Sequence, residues 1–171
     1  MEYRKLGPWD VSSVGLGLMN VSWQGRPGTD PEKRYSHAIA GIHAALDAGV
    51  TLLDTADVYA PTWDEMGHNE VLLREALDSW TGDEAARNRV VVATKGGITR
   101  SEGEVWGRNG SREYLERAIE RSLERLGVDR IQLYQHHRLD PERDLETQIE
   151  NLGAVKAQGL AEQLGVSNYN L

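Results

Sequence analysis

Apolar residues along this chain follow two rhythms. Short runs rich in Val, Ile and Leu recur at residues 14–19, 50–53, 90–93 and 131–134, with a weaker one at 164–166. Between them, apolar positions return at helical spacing. Tyr35, Ile39, Ile42 and Leu46 mark one helix, with Asp30 as its cap, Pro31 at the first helical position and Gly49 at its close. Leu115, Ile119, Leu123 and Leu126 mark another, between Ser111 and Gly127. Two more helices are expected over 69–80 and 144–158, the second ended by Gly159. Ahead of these, residues 3–8 and 11–14 read as a small hairpin.

The predicted order is a hairpin followed by strands and helices in strict alternation. Alternation with short connections predicts parallel strands joined by right-handed crossovers. Runs apolar at every position suit strands buried on both faces. Three long polar loops, 23–31, 60–68 and 96–110, all follow a strand. In β/α folds those are the loops that carry chemistry. No linker divides the sequence, so one domain over residues 1–171 is expected.

Composition narrows the function by exclusion. The 171 residues carry 19 Lys and Arg against 27 Asp and Glu, a net charge of −8, which argues against nucleic acid or an anionic membrane surface as the main partner. No apolar run approaches the roughly 20 residues of a membrane span. The start, Met1 to Lys5, leads into no signal-peptide core, so a cytoplasmic location is expected. With no cysteine, disulfides, thiolate metal sites and cysteine nucleophiles are excluded together.

The strand ends hold residues that packing would not choose. Lys95 ends the third apolar strand, and a buried lysine needs a partner. Asp54 ends the second strand at the same height. Alone, the pair reads equally as a structural ion pair or a snorkelling lysine. Tyr59, five residues past Asp54, and His137, at the end of the fourth strand, add a phenol and an imidazole. A phenol with its ordinary pKa near 10 is a poor proton donor at neutral pH, and a neighbouring ammonium is expected to lower that value. Such a cluster suits reduction of a carbonyl, where an acid must protonate the oxygen as charge develops on it.

These segments resemble the aldo-keto reductases. The resemblance runs through Leu53-Asp54-Thr55-Ala56-Asp57-Val58-Tyr59, Asn69-Glu70, Ala93-Thr94-Lys95, the stretch from Leu133 to Pro141, and Gly165-Val166-Ser167-Asn168. The segment from Arg108 to Arg112, with the run from Gln135 to Arg138, resembles the branch with bacterial reductases and potassium-channel β subunits. The resemblance implies a (β/α)8 barrel of TIM type and a catalytic tetrad of Asp54, Tyr59, Lys95 and His137. Tyr59 would be the general acid, tuned by Lys95 and Asp54, with His137 orienting the substrate. His137 rather than His136 matches the family position, and strand neighbours point to opposite faces. The resemblance also implies NADP(H) as cofactor, with Asp54, Ser167 and Asn168 on its nicotinamide side, and a small aldehyde or ketone as substrate. On spacing alone, Ser167 and Asn168 read equally as a turn or cap.

Several signals carry no weight. Gly15-Leu16-Gly17-Leu18-Met19-Asn20 has Asn20 where a dinucleotide fingerprint needs its third glycine. The histidines show no metal-ligand spacing, so no metal is expected. The charges of residues 113–125 suit a solvated helix face. Trp23, Trp63 and Trp106 fall in strand-end loops, either lining a substrate pocket or covering the rim. Strand centres recur about every 37 residues, so eight units would need roughly 300. Five units are therefore expected: a partial barrel with two open strand edges, lacking the part that in the family grips the cofactor phosphates and adenine. Residues 161–163, Ala-Glu-Gln, also depart from the family's basic, β-branched stretch. Two functions follow: a carbonyl reductase, of which this sequence is the N-terminal part or which a second chain or oligomerisation completes, or a truncated, catalytically silent subunit that at most binds a partner.

Overall fold

The computed structural model describes residues 1–22 and 30–170. It opens with the expected hairpin, β1 (Tyr3–Leu6) and β2 (Trp9–Ser12), paired antiparallel from Tyr3↔Ser12 to Leu6↔Trp9. Gly7, at φ 55, supplies the positive φ that a two-residue hairpin turn demands. That turn fixes the register, so the second strand lies two residues earlier than the apolar pattern suggested. Ser12 N donates to Thr51 Oγ1 at 2.8 Å, and Thr51 N donates to Ser12 Oγ at 2.9 Å. The hairpin is thereby fixed at the N-terminal end of the main sheet.

Five parallel strands form that sheet: β3 (Leu16–Gly17), β4 (Leu52–Asp54), β5 (Val91–Gly96), β8 (Ile131–His136) and β9 (Ala161–Val166). Its strand order follows chain order and never doubles back. Crossovers of one hand then place the helices on one face. The long helices are α1 (Pro31–Asp47), α2 (His68–Ser79), α4 (Arg112–Leu126) and α5 (Leu145–Ala157). They pack against one another in that same order. The result is an arc of a β/α barrel, five strands of the eight that close one.

Local chemistry explains the helix starts. The side chains of Asp30, Ser111 and Asp144 accept hydrogen bonds from first-turn amides of α1, α4 and α5, each cap worth about 1 kcal/mol. Gly127, left-handed at φ 67, ends α4. Ile42, Leu72, Leu115 and Leu152, one from each long helix, are buried with Leu53 and Tyr134 of the sheet. Burying such side chains is worth about 1.5–3 kcal/mol each.

Three features differ from the sequence pattern. Within residues 96–110, expected as a loop, β6 (Ile98–Ser101) and β7 (Val105–Arg108) pair as a hairpin whose turn holds Gly103 at φ 75 and Glu104 at φ 62. A short helix, α3 (Glu84–Arg87), is capped by Asp83. Finally, β3 is only two residues long, and Val14, at 60% exposure, lies outside it. No described helix is long and apolar enough to cross a membrane.

Candidate active site

The C-terminal ends of β4, β5 and β8 converge on one cluster. Past Asp54 the chain stays beside β5, with Thr55 N donating to Ala93 O (2.9 Å) and Asp57 N to Lys95 O (3.1 Å). It then folds back at Tyr59, whose carbonyl accepts from Asn69 N at 3.1 Å. The buried Asn69 side chain holds that loop from within. Its Oδ1 accepts from Thr55 Oγ1 at 2.6 Å, and its Nδ2 donates to Leu18 O (2.8 Å) and Ser22 Oγ (2.7 Å).

Lys95 is the hub. At 5% exposure, its ammonium donates to Asp54 Oδ2 at 2.7 Å, Thr55 O at 2.8 Å and Tyr59 Oη at 3.5 Å. All three ammonium protons are used. The other Asp54 oxygen accepts from Gln135 Nε2 at 3.2 Å. The His137 ring meets Tyr59 edge-on, centroids 5.6 Å apart, and its buried Nδ1 has no protein partner. Asp54, Tyr59, Lys95 and His137 are therefore gathered at one place.

His136 faces the other way. Its Nδ1 shares a hydrogen bond with Tyr169 Oη at 2.5 Å, and its ring occupies space that a side chain at Gly97 would fill. Ser167 and Asn168 follow β9 at the same end of the sheet. Asn168, left-handed at φ 56, donates from Nδ2 to His137 O (3.2 Å) and Ser167 Oγ (2.9 Å).

The electrostatics correct one expectation. The Lys95 ammonium was expected to lower the Tyr59 pKa. Burial instead pushes the phenol up to about 12, with the Asp54 and Asp57 carboxyls adding to the effect. Lys95 is already neutralised by Asp54 at 2.7 Å, and the phenol has lost water. Burial likewise pulls His137 down to about 3, reinforced by Lys95, Arg138 and His136. The cluster is a neutral phenol and a neutral imidazole beside an ion pair.

Sequence reasoning gave no role to Gln135, Asn69 or Glu70. The fully buried Glu70 accepts from Thr94 Oγ1 at 2.6 Å and pairs with Arg125 of α4 at 3.1 Å. The available signal was their polarity inside stretches that the apolar rhythm assigns to the core. Of the tryptophans, Trp106 lines a cleft, Trp63 lies in a short turn and is 37% exposed, and Trp23 lies outside the described residues.

The sequence profile of the aldo/keto reductase family matches residues 13–171. The chain belongs to the aldo/keto reductase family. An uncharacterized oxidoreductase of Schizosaccharomyces pombe is 34% identical over 167 residues, which are 98% of this chain and 50% of that protein. Among solved structures, aldo-keto reductase AKR11C1 from Bacillus halodurans, in its holo form, is 31% identical with a TM-score of 0.76, covering 98% of this chain and 50% of its own. Glycerol dehydrogenase AKR11B4 from Gluconobacter oxydans is 28% identical with a TM-score of 0.80, covering 98% and 49%. This aldo/keto reductase chain thus spans about half the length of those relatives. The five-strand arc corresponds to a partial TIM barrel of the family.

Proposed function

We propose that this chain carries the catalytic side chains of an NADP(H)-dependent carbonyl reductase acting on a small aldehyde or ketone. One observation carries the reading: the Lys95 ammonium reaches both Asp54 (2.7 Å) and Tyr59 (3.5 Å) while His137 packs against the same phenol. Tyr59 is the acid. Its hydroxyl gives its proton to the carbonyl oxygen, and Lys95, fixed by Asp54, stabilises the negative charge left on the phenol. Neutral His137 holds the carbonyl oxygen through a ring N–H.

The donors at this end of the sheet fit a nicotinamide carboxamide. Ser167 offers a hydroxyl and Asn168 an amide beside His137, and Asp54 lines the same mouth. Bound there, the cofactor supplies the hydride, which with the Tyr59 proton converts carbonyl to alcohol.

A purified chain titrated with NADPH tests this. Saturable binding is expected, with aldehyde-dependent oxidation that Tyr59→Phe reduces by roughly a hundredfold or more, the usual scale of general acid catalysis. Activity unchanged by Tyr59→Phe sinks the assignment. The alternative reading is a catalytically silent binding subunit. It predicts no turnover with any aldehyde.

A further inference from the structure

Beside His137 the mouth carries a feature that the proposed tetrad does not use. Ile98, Trp106, Gly107, Arg108 and Arg138 line a cleft of about 340 Å³. Its walls come from the β6–β7 hairpin and from the residue directly after His137. Arg108 and Arg138 are exposed, and neither forms an ion pair among the described residues. The nearest acids on the same segments are committed elsewhere. Glu104 pairs with Arg100 at 2.5 Å and Asp140 with Arg143 at 3.2 Å. In a chain of net charge −8, two uncompensated guanidiniums in one cleft invert the local sign.

The cleft is built rather than incidental. Arg108 Nη1 donates to Leu139 O at 3.1 Å, which ties the hairpin to the chain leaving β8. The Ile98 carbonyl accepts from Tyr114 Oη of α4 at 3.1 Å. The Arg100 guanidinium lies 4.8 Å from the Trp106 ring centre and also donates to Ala60 O (2.8 Å) and Pro61 O (3.2 Å) of the loop after Tyr59. These attachments fix the hairpin, cover one face of Trp106 and tether Arg108.

Guanidinium forks match the paired oxygens of carboxylate and phosphate, and Trp106 with Ile98 offers an apolar wall for the body of a ligand. Arg138 directly follows His137 in the chain, and Trp106 rests on Arg100, which is bonded to Ala60 O and Pro61 O just past Tyr59, so a ligand whose carbonyl sits at Tyr59 and His137 can extend into this cleft. We propose that Arg138 and Arg108 form an anion subsite that selects carbonyl compounds carrying a carboxylate or phosphate at the end remote from the carbonyl. Calling that compound a substrate rests on the reductase reading; its binding does not.

Calorimetric titration of the 171-residue chain with benzaldehyde, 4-carboxybenzaldehyde and 4-formylphenyl phosphate tests the subsite, with NADPH turnover followed in parallel. A charged aldehyde is expected to bind roughly tenfold tighter than benzaldehyde, the effect of about 1.4 kcal/mol. The tighter of the two anions names the group. This ratio is expected to fall towards one in Arg138→Ala and to drop in Arg108→Ala. It should persist in Lys5→Ala, which removes an exposed cation from the hairpin at the opposite end of the sheet. Arg138→Lys, keeping charge but not the fork, should fall between. Equal binding of charged and neutral aldehydes, binding of none, or a ratio unmoved by Arg138→Ala overturns the subsite whatever the turnover. Charge-selective binding lost in Arg138→Ala without turnover of any aldehyde upholds the subsite and overturns the reductase reading.

Discussion

His136 and His137 are consecutive, yet their rings serve opposite sides of the sheet. His136 is tied to Tyr169 at 2.5 Å, whereas His137 packs edge-on against Tyr59. The alternation of a strand accomplishes the separation: Tyr134 and His136 share the helix-covered side, and Gln135, which reaches Asp54 at 3.2 Å, shares the mouth side with His137.

That placement makes His137 a burden in acid. Its folded pKa, about 3, lies below the ordinary 6.5, so the unfolded chain binds the proton first. Its contribution to stability is complete above 6.5 and is lost as pH falls towards 3, by up to about 1.4 kcal/mol per pH unit. Urea unfolding at pH values descending from neutrality is expected to show a shallower decline in His137→Asn than in the parent. Parallel curves would show that the ring is not held neutral.

Tyr59 is expected to stay a phenol where ordinary tyrosines ionise. With its pKa near 12, tyrosinate absorbance should rise identically in the parent and in Tyr59→Phe as pH climbs through 10. If the Lys95 ammonium governed the phenol instead, the parent would show an additional step below 10. A phenol so held is fully protonated at neutral pH, the form in which it can act as an acid, although the raised pKa makes it a weaker donor until charge develops on an acceptor beside Lys95.

The two halves of the Asp54–Lys95 pair are unequal in exposure, at 37% and 6% of their side chains. Asp54→Asn strands a buried ammonium and is expected to cost about 2–3 kcal/mol. Lys95→Met leaves a carboxylate that water and Gln135 can serve, costing about 1 kcal/mol. Denaturant midpoints of both variants check the order, and the double variant should be more stable than Asp54→Asn alone.

Behind the sheet, Arg125 is the cation paired with fully buried Glu70. Burial and that neighbouring carboxylate hold Asp57 well above the usual carboxylate range. Arg125→Met should destabilise by about 3–5 kcal/mol, because it leaves Glu70 charged and unpaired. Adding Glu70→Gln should recover much of the loss. Thermal unfolding of the three variants decides it.

The strand ends were legible in the sequence because a lysine closing an apolar run has few explanations. Asp54, Tyr59, Lys95 and His137 each stand at or just past the end of an apolar strand, and all four meet at the mouth. The β6–β7 hairpin was not legible. Its inner positions mix Thr99 and Arg100 with Trp106 and Gly107, and its turn puts Glu104 as well as Gly103 at positive φ. The Tyr59 shift was also out of reach, because sequence gives the neighbours of a phenol but not the balance between lost water and a charge already neutralised. Asn69 and Glu70 were visible as motif residues. Their partners come from residues 18, 22, 55, 94 and 125, contacts that no local spacing encodes.

The pairing of β4 with β5 sets Asp54 opposite Ala93, two residues before Lys95. A slip of one residue would turn Lys95 to the helix-covered side, where its ammonium would meet Leu53 and Tyr134 rather than a carboxylate. The ion pair beneath the phenol therefore also proofreads the sheet: a strand zipped out of step bears an unanswered charge, and only the assembly that can hold Tyr59 in place is free of it.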